Sequence, residues 1–390
     1  MVSPMQPTST EPASPPIPSA AAGPARLGDA GAGTALASSA SPPSRRRWGW
    51  RYIITRRALQ RLGVLFLLLI LGSAGLVWYA AGMPGSSFRG PLPPASAAQT
   101  ARAARLRTCV EKLAGEFGGR STFGPRKLAA AGAYLKGELL ALGYAEVNET
   151  FVERGARCPN LEVILPGSDP SLPCIVVGAH YDAYQGTFGA DDNASGTAAV
   201  LEIARALRTS GAAPLQRAVR LALFVNEEPP SFQTADMGSW VYAKDLRRRA
   251  VLVRGMLSLE TIGYYRTEEG SQKYPLAPLA WVYPTRGDFI AFVGNPSSRW
   301  LVRATIRAFR ASAQFPSEGA ALPGDIAGVG WSDHWAFWQE GWDAIMVTDT
   351  APFRNPNYHL PSDKADTLDY DRMSRVVEGI TAAVRALANE

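Results

Sequence analysis

The stretch CIVVGAHYDAYQGTFGADDNASGTAAVLEIARAL, residues 174–207, decides the fold. It opens on a short apolar run, CIVVGA (174–179), with the length and branching of a strand buried on both faces. A turn-rich loop follows. Residues 195–209 then place Val200, Ile203, Ala204 and Leu207 at helical spacing. Strand, loop and helix in that order form the repeating unit of α/β layered domains.

The same pattern extends outward on both sides. Short apolar runs recur at LEVIL (161–165), VRLALFV (219–225), GMLSLE (255–260), FIAFVG (289–294) and AIMVT (344–348). Between and around them lie amphipathic stretches. Leu128, Tyr134, Leu135, Leu139 and Leu142 precede a stop at Gly143, and Met373, Val376, Val377, Ile380, Val384 and Leu387 mark a helix over 371–388. This alternation predicts an α/β domain on a largely parallel sheet over residues 101–390. No internal repeat is visible.

The residues before it differ in kind. The chain has 390 residues and a formal net charge of +6. All of that excess sits in residues 1–61, which hold eight arginines against Glu11 and Asp29; the remainder is balanced. A basic surface for nucleic acid is therefore not expected on the globular part. Residues 1–44 are rich in Pro, Ala, Ser and Gly and poor in large apolar side chains, a composition that favours disorder. After the arginines comes LGVLFLLLILGSAGLVWYAA (62–81), free of charge and long enough to span a bilayer as a helix over 62–82. A cleaved signal peptide has a shorter apolar region and a small-residue cleavage site, whereas this run ends in the interface residues Trp78 and Tyr79. The expectation is a single-pass anchor in the cell membrane. Residues 1–61 form a cytoplasmic tail, 83–100 a linker, and the globular domain lies on the far, periplasmic side. Cys109, Cys158 and Cys174 show no metal-type spacing; Cys158 and Cys174 either pair in an oxidising compartment or are plain apolar residues.

Ligand groups gather beyond the carboxyl ends of strands in α/β sheets. Reading only those positions gives His180 and Asp182, then Asp191, Asp192 and Asn193, then Glu227 and Glu228, then Glu260, and finally His359. Each alone has an ordinary explanation: a polar turn, a helix cap at Asn193 or Ser195, a solvated corner. Together they form an imidazole and carboxylate set without thiolate, the donor chemistry of a catalytic zinc site. Two adjacent glutamates invite a division of labour, one holding metal and the other free as a general base.

The blocks GAHYDA, GADDNASG, NEE, SLETIGYY and NYHLPSDKADTLDY stand in order over residues 105–388. In that arrangement the chain resembles the co-catalytic dizinc exopeptidases, which include aminopeptidase Y, glutamate carboxypeptidase and the glutaminyl cyclases. The resemblance implies a three-layer α/β/α sandwich on a mixed sheet and two zinc ions per chain. It implies that His180 and Glu260 hold one ion, that Glu228 and His359 hold the other, and that Asp192 bridges them. Asp182 would orient His180. Glu227 would act as general base toward a water shared by the two zincs, and Tyr358 would help stabilise the oxyanion. Two departures stand out. Glu260 occupies a position where the family more often has aspartate, and PPSFQTADMGS replaces the usual GLxGS after the glutamate pair, which is expected to reshape the pocket. His334, in GWSDHWAFWQEGW, belongs to no ligand position; it either meets substrate or is structural among Trp331, Trp335, Trp338 and Trp342.

The functional expectation is a membrane-anchored, bacterial-type zinc aminopeptidase acting on peptides. A glutaminyl cyclase-like acyltransferase and a non-catalytic receptor-like homologue are the alternatives from other classes. The sequence leaves oligomeric state and side-chain preference open.

Overall fold

The computed structural model describes residues 55–152, 158–209 and 214–390. The tail expected over 1–61 lies, as far as residue 54, outside the described residues. The chain divides into two units, Met1–Leu62 and Gly63–Glu390. The first contributes only the opening turns of helix α1 to the described residues, and everything below concerns the second.

Helix α1 runs from Arg56 to Ala81, with a mean hydropathy of 2.2 in its most apolar window. It begins six residues before the predicted span and is long and apolar enough to cross a membrane. Residues 83–96 form no regular element but lie against the domain. Ser317 donates its backbone N–H to Ser87 Oγ, and Arg375 Nη2 donates to Pro93 O. Helix α2 (Ala97–Glu111) starts at a capping box, Ser96 accepting from Gln99 N while the Gln99 side chain accepts from Ser96 N. Helix α3 (Pro125–Ala141) ends before Gly143, whose φ of +85° suits a residue without Cβ.

The sheet has eight strands: β1 (Asn148–Phe151), β2 (Pro159–Leu165), β3 (Cys174–His180), β4 (Val219–Phe224), β5 (Val253–Glu260), β6 (Ile290–Gly294), β7 (Ser317–Ala321) and β8 (Ala344–Thr348). Their order is β1-β2-β4-β3-β5-β8-β6-β7. The central four, β4-β3-β5-β8, are mutually parallel; β1, β2 and β6 join antiparallel, and β7 pairs parallel to β6. All six expected strands are present. The edge strands β1 (NETF) and β7 (SEGAA) carry no apolar run to announce them, because pairing rather than composition makes them strands.

Side chains alternate across the sheet into two cores. Ile175 and Val177 face a core shared with α2, α3, α4 (Gly196–Thr209), α6 (Arg299–Ser312) and α9 (Tyr370–Ala388). Cys174 and Val176 face a smaller core, where Tyr242 and Leu246 of α5 (Gly238–Arg248) meet Phe337 of α7 (His334–Gln339). The result is the three-layer α/β/α sandwich. All three cysteines are buried and free, so Cys158 and Cys174 behave as apolar residues.

Candidate metal centre

Four parallel strands end on the same edge of the sheet, and each delivers one part of the site. His180 is the last residue of β3 and Glu260 the last of β5. Glu227 and Glu228 follow β4 through Asn226, whose φ is +57°. His359 comes from the segment after β8 and the short α8 (Ala351–Arg354), with φ +58°. Non-glycine residues held in the left-handed region are strained, and such strain concentrates at functional sites. Asp192 lies in the turn before α4. That turn is fixed by Asn193, whose Nδ2 donates to Leu259 O (2.8 Å) while its Oδ1 accepts from Gly196 N and Thr261 N. A Cβ on Gly196 would sit 2.3 Å from Leu259 O, so only glycine lets the helix start this close to β5.

The structure brings two overlapping groups together, His180–Asp192–Glu260 and Asp192–Glu228–His359. Asp192 is their shared member. Its Oδ1 lies 3.4 Å from His180 Nε2 and its Oδ2 lies 3.1 Å from His359 Nε2. Glu260 Oε2 is 3.2 Å from His180 Nε2, and Glu228 Oε2 is 3.7 Å from His359 Nε2. Glu227 stands beside both groups and belongs to neither, its Oε2 3.9 Å from His180 Nε2.

All of these groups except His359 are buried. Burial pushes Glu227 and Glu228 well above the usual carboxylate range, and neighbouring carboxylates add to it. Burial also acts to raise Asp192, but the hydrogen bonds and charges of His180 and His359 outweigh it and hold Asp192 below its ordinary value. His180 is raised despite burial, because Glu260, Glu227, Asp182 and Asp192 surround it. Five buried carboxylates against two imidazoles is an excess of negative charge that a divalent cation relieves. Glu228 Oε1 is buried without a hydrogen-bond partner, and the donor set is nitrogen and carboxylate oxygen. The residues fit two ions of the zinc type.

Two carboxylates clamp the turns that carry these donor groups from behind. Asp182 accepts the backbone N–H of Glu227 and of Glu228, each at 3.2 Å. Its distance to His180 Nδ1, 3.6 Å, is longer than a hydrogen bond, so it positions the glutamate turn more directly than the imidazole. Asp363 does the same for the other turn, accepting from Asp191 N at 2.9 Å and Asp192 N at 3.2 Å. Behind both lies Arg120, fully buried, which donates to the carbonyls of Tyr181, Leu113, Phe188 and Gly189. Ser332 donates to Glu260 Oε2 at 2.7 Å. The roles of Asp363, Arg120 and Ser332 are not readable from their own segments, since their partners are distant in the chain. Tyr184 joins them. It stacks on the His359 ring at 4.0 Å, and Tyr358 stacks at 3.9 Å, so two tyrosines hold the imidazole. Burial keeps the Tyr358 phenol protonated, with Asp192 and Glu260 reinforcing it, and it remains a hydrogen-bond donor.

His334 lies apart from both groups. It is fully buried on α7, Nε2 at 2.8 Å from Val329 O and its ring edge-on to Trp338, and burial pushes its pKa down to about 4. It is a neutral structural histidine.

Beside the site opens a cavity of about 100 Å³, bordered at its inner end by Glu260 and Tyr358. Its walls are apolar, including Phe289, Val293, Met346 and Phe353. None of the residues of the diproline segment 229–239 lines it. Besides Glu260, the cavity is lined by a second acid, Glu318, which lies 4.0 Å from Arg310.

A mixed α/β sheet with nitrogen and carboxylate donors gathered at the ends of its parallel strands has the layout of a metal-dependent enzyme, and the family match makes the class a peptidase. The chain belongs to peptidase family M28, whose family model matches residues 160–384. It is 42% identical over 252 residues to the uncharacterized protein YfbL of Escherichia coli (strain K12), a match spanning 60% of this chain and 76% of that one. The Legionella pneumophila LapA aminopeptidase shares the fold at a TM-score of 0.57 and 19% identity, over 77% of this chain and 78% of that one. The Fimbriiglobus ruber glutaminyl cyclase does so at 0.52 and 17%, over 78% and 99% respectively.

Proposed function

We propose that the chain is a membrane-anchored zinc aminopeptidase, with His180, Asp192 and Glu260 holding one ion and Asp192, Glu228 and His359 the other. The observation that carries this reading is the sharing of Asp192 between two complete donor groups, with Glu227 beside them and unengaged by either. Bound there, the ions would supply Lewis acidity toward a peptide carbonyl and toward water. Glu227, held by Asp182 through its backbone and raised in pKa by burial, takes a proton from the attacking water and returns it to the leaving amine. Tyr358 donates its phenol hydrogen toward the oxyanion. The α-amine of the substrate meets the carboxylates, and its first side chain enters the apolar cavity. That cavity suits a residue of leucine or methionine size, because Glu318 is already paired with Arg310 and offers little to a basic one. Helix α1 anchors the domain, with the arginine-rich segment before it on the cytoplasmic side and the site on the other.

The test is a panel of aminoacyl-anilides offered to the detergent-solubilised full chain, with metal analysis of the same sample. The expected result is about two zinc per chain, hydrolysis abolished by chelation and restored by zinc, and preference for leucyl and methionyl substrates. One zinc per chain with pyroglutamate formation and no amide hydrolysis would instead establish the cyclase.

A further inference from the structure

The outer face of α6 has no part in the site described above, yet it is built around one kind of side chain. Leu301, Val302, Ile306 and Phe309 bury its inner face. Arg299, Arg303 and Arg307, spaced four apart, form a single stripe on the other face. This stripe meets the carbonyl end of the apolar helix. Arg299 Nε donates to Tyr79 O at 2.6 Å and Arg303 Nη1 donates to Gly82 O. Arg299 also lies 4.4 Å from the Tyr79 ring centroid and 6.0 Å from that of Trp78, itself 70% exposed. Arg310, one turn on, donates to Pro84 O and Gly85 O. The guanidinium groups therefore satisfy carbonyls that the end of a helix leaves open, and they fix the stripe at the level where the apolar span stops.

Between these residues lies an open groove of about 510 Å³, bounded by Tyr79, Arg299, Trp300, Arg303, Arg307 and Glu390. Among the described residues no carboxylate lies within ion-pair distance of Arg299, Arg303 or Arg307. Partial burial lowers Arg303 below its ordinary value, and the charges of Arg299 and Arg307 lower it further. Like charges crowded where the apolar helix ends, with Glu390 at the rim of the groove in ion-pair contact with none of them, leave room for an anion from outside the chain. Arginine's planar fork matches the two oxygens of a phosphodiester.

We propose that this groove binds the phosphodiester headgroup of an anionic phospholipid and so seats the catalytic domain on the membrane surface beside its anchor. The inference rests on the reading of α1 as a membrane anchor. The anchor supplies attachment whatever the lipid; the stripe adds lipid selectivity and a fixed orientation. Each arginine near an anionic surface contributes about fivefold in binding.

The probe is phosphatidylglycerol against phosphatidylcholine, titrated into the detergent-solubilised full chain and read by native mass spectrometry. The expected result is at least tenfold tighter retention of phosphatidylglycerol. Arg307→Gln, at an exposed side chain that holds no carbonyl of the helix exit, should weaken it about fivefold, and Arg303→Gln with Arg307→Gln roughly 25-fold. Hydrolysis of a small soluble substrate in detergent should be unchanged in Arg307→Gln. Equal retention of the two lipids, or full selectivity in the double variant, overturns the proposal. Displacement of the lipid by an equal concentration of inorganic phosphate also overturns it, since the groove is then a site for free phosphate. Alkaline carbonate extraction of native membranes tests the anchor separately. Release of the chain sinks the anchor and this inference with it, while retention combined with equal lipid binding sinks this inference alone.

Discussion

Replacing Asp192 and Asp191 by asparagine, one at a time, separates the proposed shared ligand from its scaffold with almost no change in side-chain volume. In Asp192→Asn one oxygen remains, and the other becomes an amide nitrogen that cannot ligate. Because Oδ1 faces His180 and Oδ2 faces His359, either orientation of the amide deprives one donor group of its shared member. The site also loses one negative charge. Losing a group that merely supports a ligand costs about 10–100-fold in metal affinity, so losing the ligand itself should cost at least about 100-fold. Asp191 makes different bonds. Its Oδ1 accepts from Gly263 N at 3.0 Å and its Oδ2 accepts from Asn355 Nδ2 at 2.8 Å. An asparagine there keeps the first bond and turns the second acceptor into a donor facing another donor. The cost falls on folding, about 1–3 kcal/mol, and part of it returns as relief of charge repulsion with Asp349. At about 2–4 °C per kcal/mol the melting temperature should fall by several degrees. Metal content by mass spectrometry and leucyl-anilide hydrolysis, measured on both variants, give the answer. Asp191→Asn should keep its zinc and at least a third of the rate, roughly 1 kcal/mol or less in barrier. Loss of zinc from Asp191→Asn to the same degree as from Asp192→Asn, or an Asp192→Asn chain that keeps both ions, would refute the assignment of Asp192 as the shared ligand.

Three further outcomes are expected. Glu227→Gln should retain zinc and KM while kcat falls about 10²–10⁴-fold; a fully active variant would remove Glu227 from the proton-transfer role. The chelated protein should lose stability as pH rises. Burial pushes Asp349 up to about 6 and Asp333 and Asp363 up to about 7, so between pH 4 and these values the folded chain holds protons that the unfolded chain has released, and stability falls across that window. Asp192, held below its ordinary value, is ionised in both states there and adds no slope, while His334, lowered to about 4, opposes the fall below its ordinary value with one proton against three. Melting of metal-free protein at pH 5 and pH 8 checks the sign, and added zinc should stabilise more at pH 8. Ala327→Trp, at an exposed position on the cavity wall, should raise KM for leucyl substrates about tenfold and leave alanyl ones nearly unaffected; equal effects on both would place the first side chain elsewhere.

Much of this protein is local in origin and therefore legible residue by residue. The six apolar strands and the helices α3, α4 and α9 follow from periodicity, because burial on one or two faces writes itself into spacing. The apolar span follows from length and the absence of charge. Donor types could be read at strand ends because a parallel sheet collects its carboxyl termini on one edge. Tertiary structure decided the rest. Asp363 reaches Asp191 and Asp192 across more than 170 residues, and nothing in either segment says which backbone groups its carboxylate will accept from. Asp182 was legible as a polar neighbour of His180, but only folding directed it to the backbone of Glu227 and Glu228. The two-sided stacking of Tyr184 and Tyr358 on His359 joins loops from opposite halves of the domain. The arginine stripe of α6 acquires its meaning only where the carbonyls of Tyr79 and Gly82 come to rest beside it. A sequence records what each residue must do for its own segment. Which segments share a carboxylate, a ring or a charge depends on contacts whose energy exists only once the chain has closed around them.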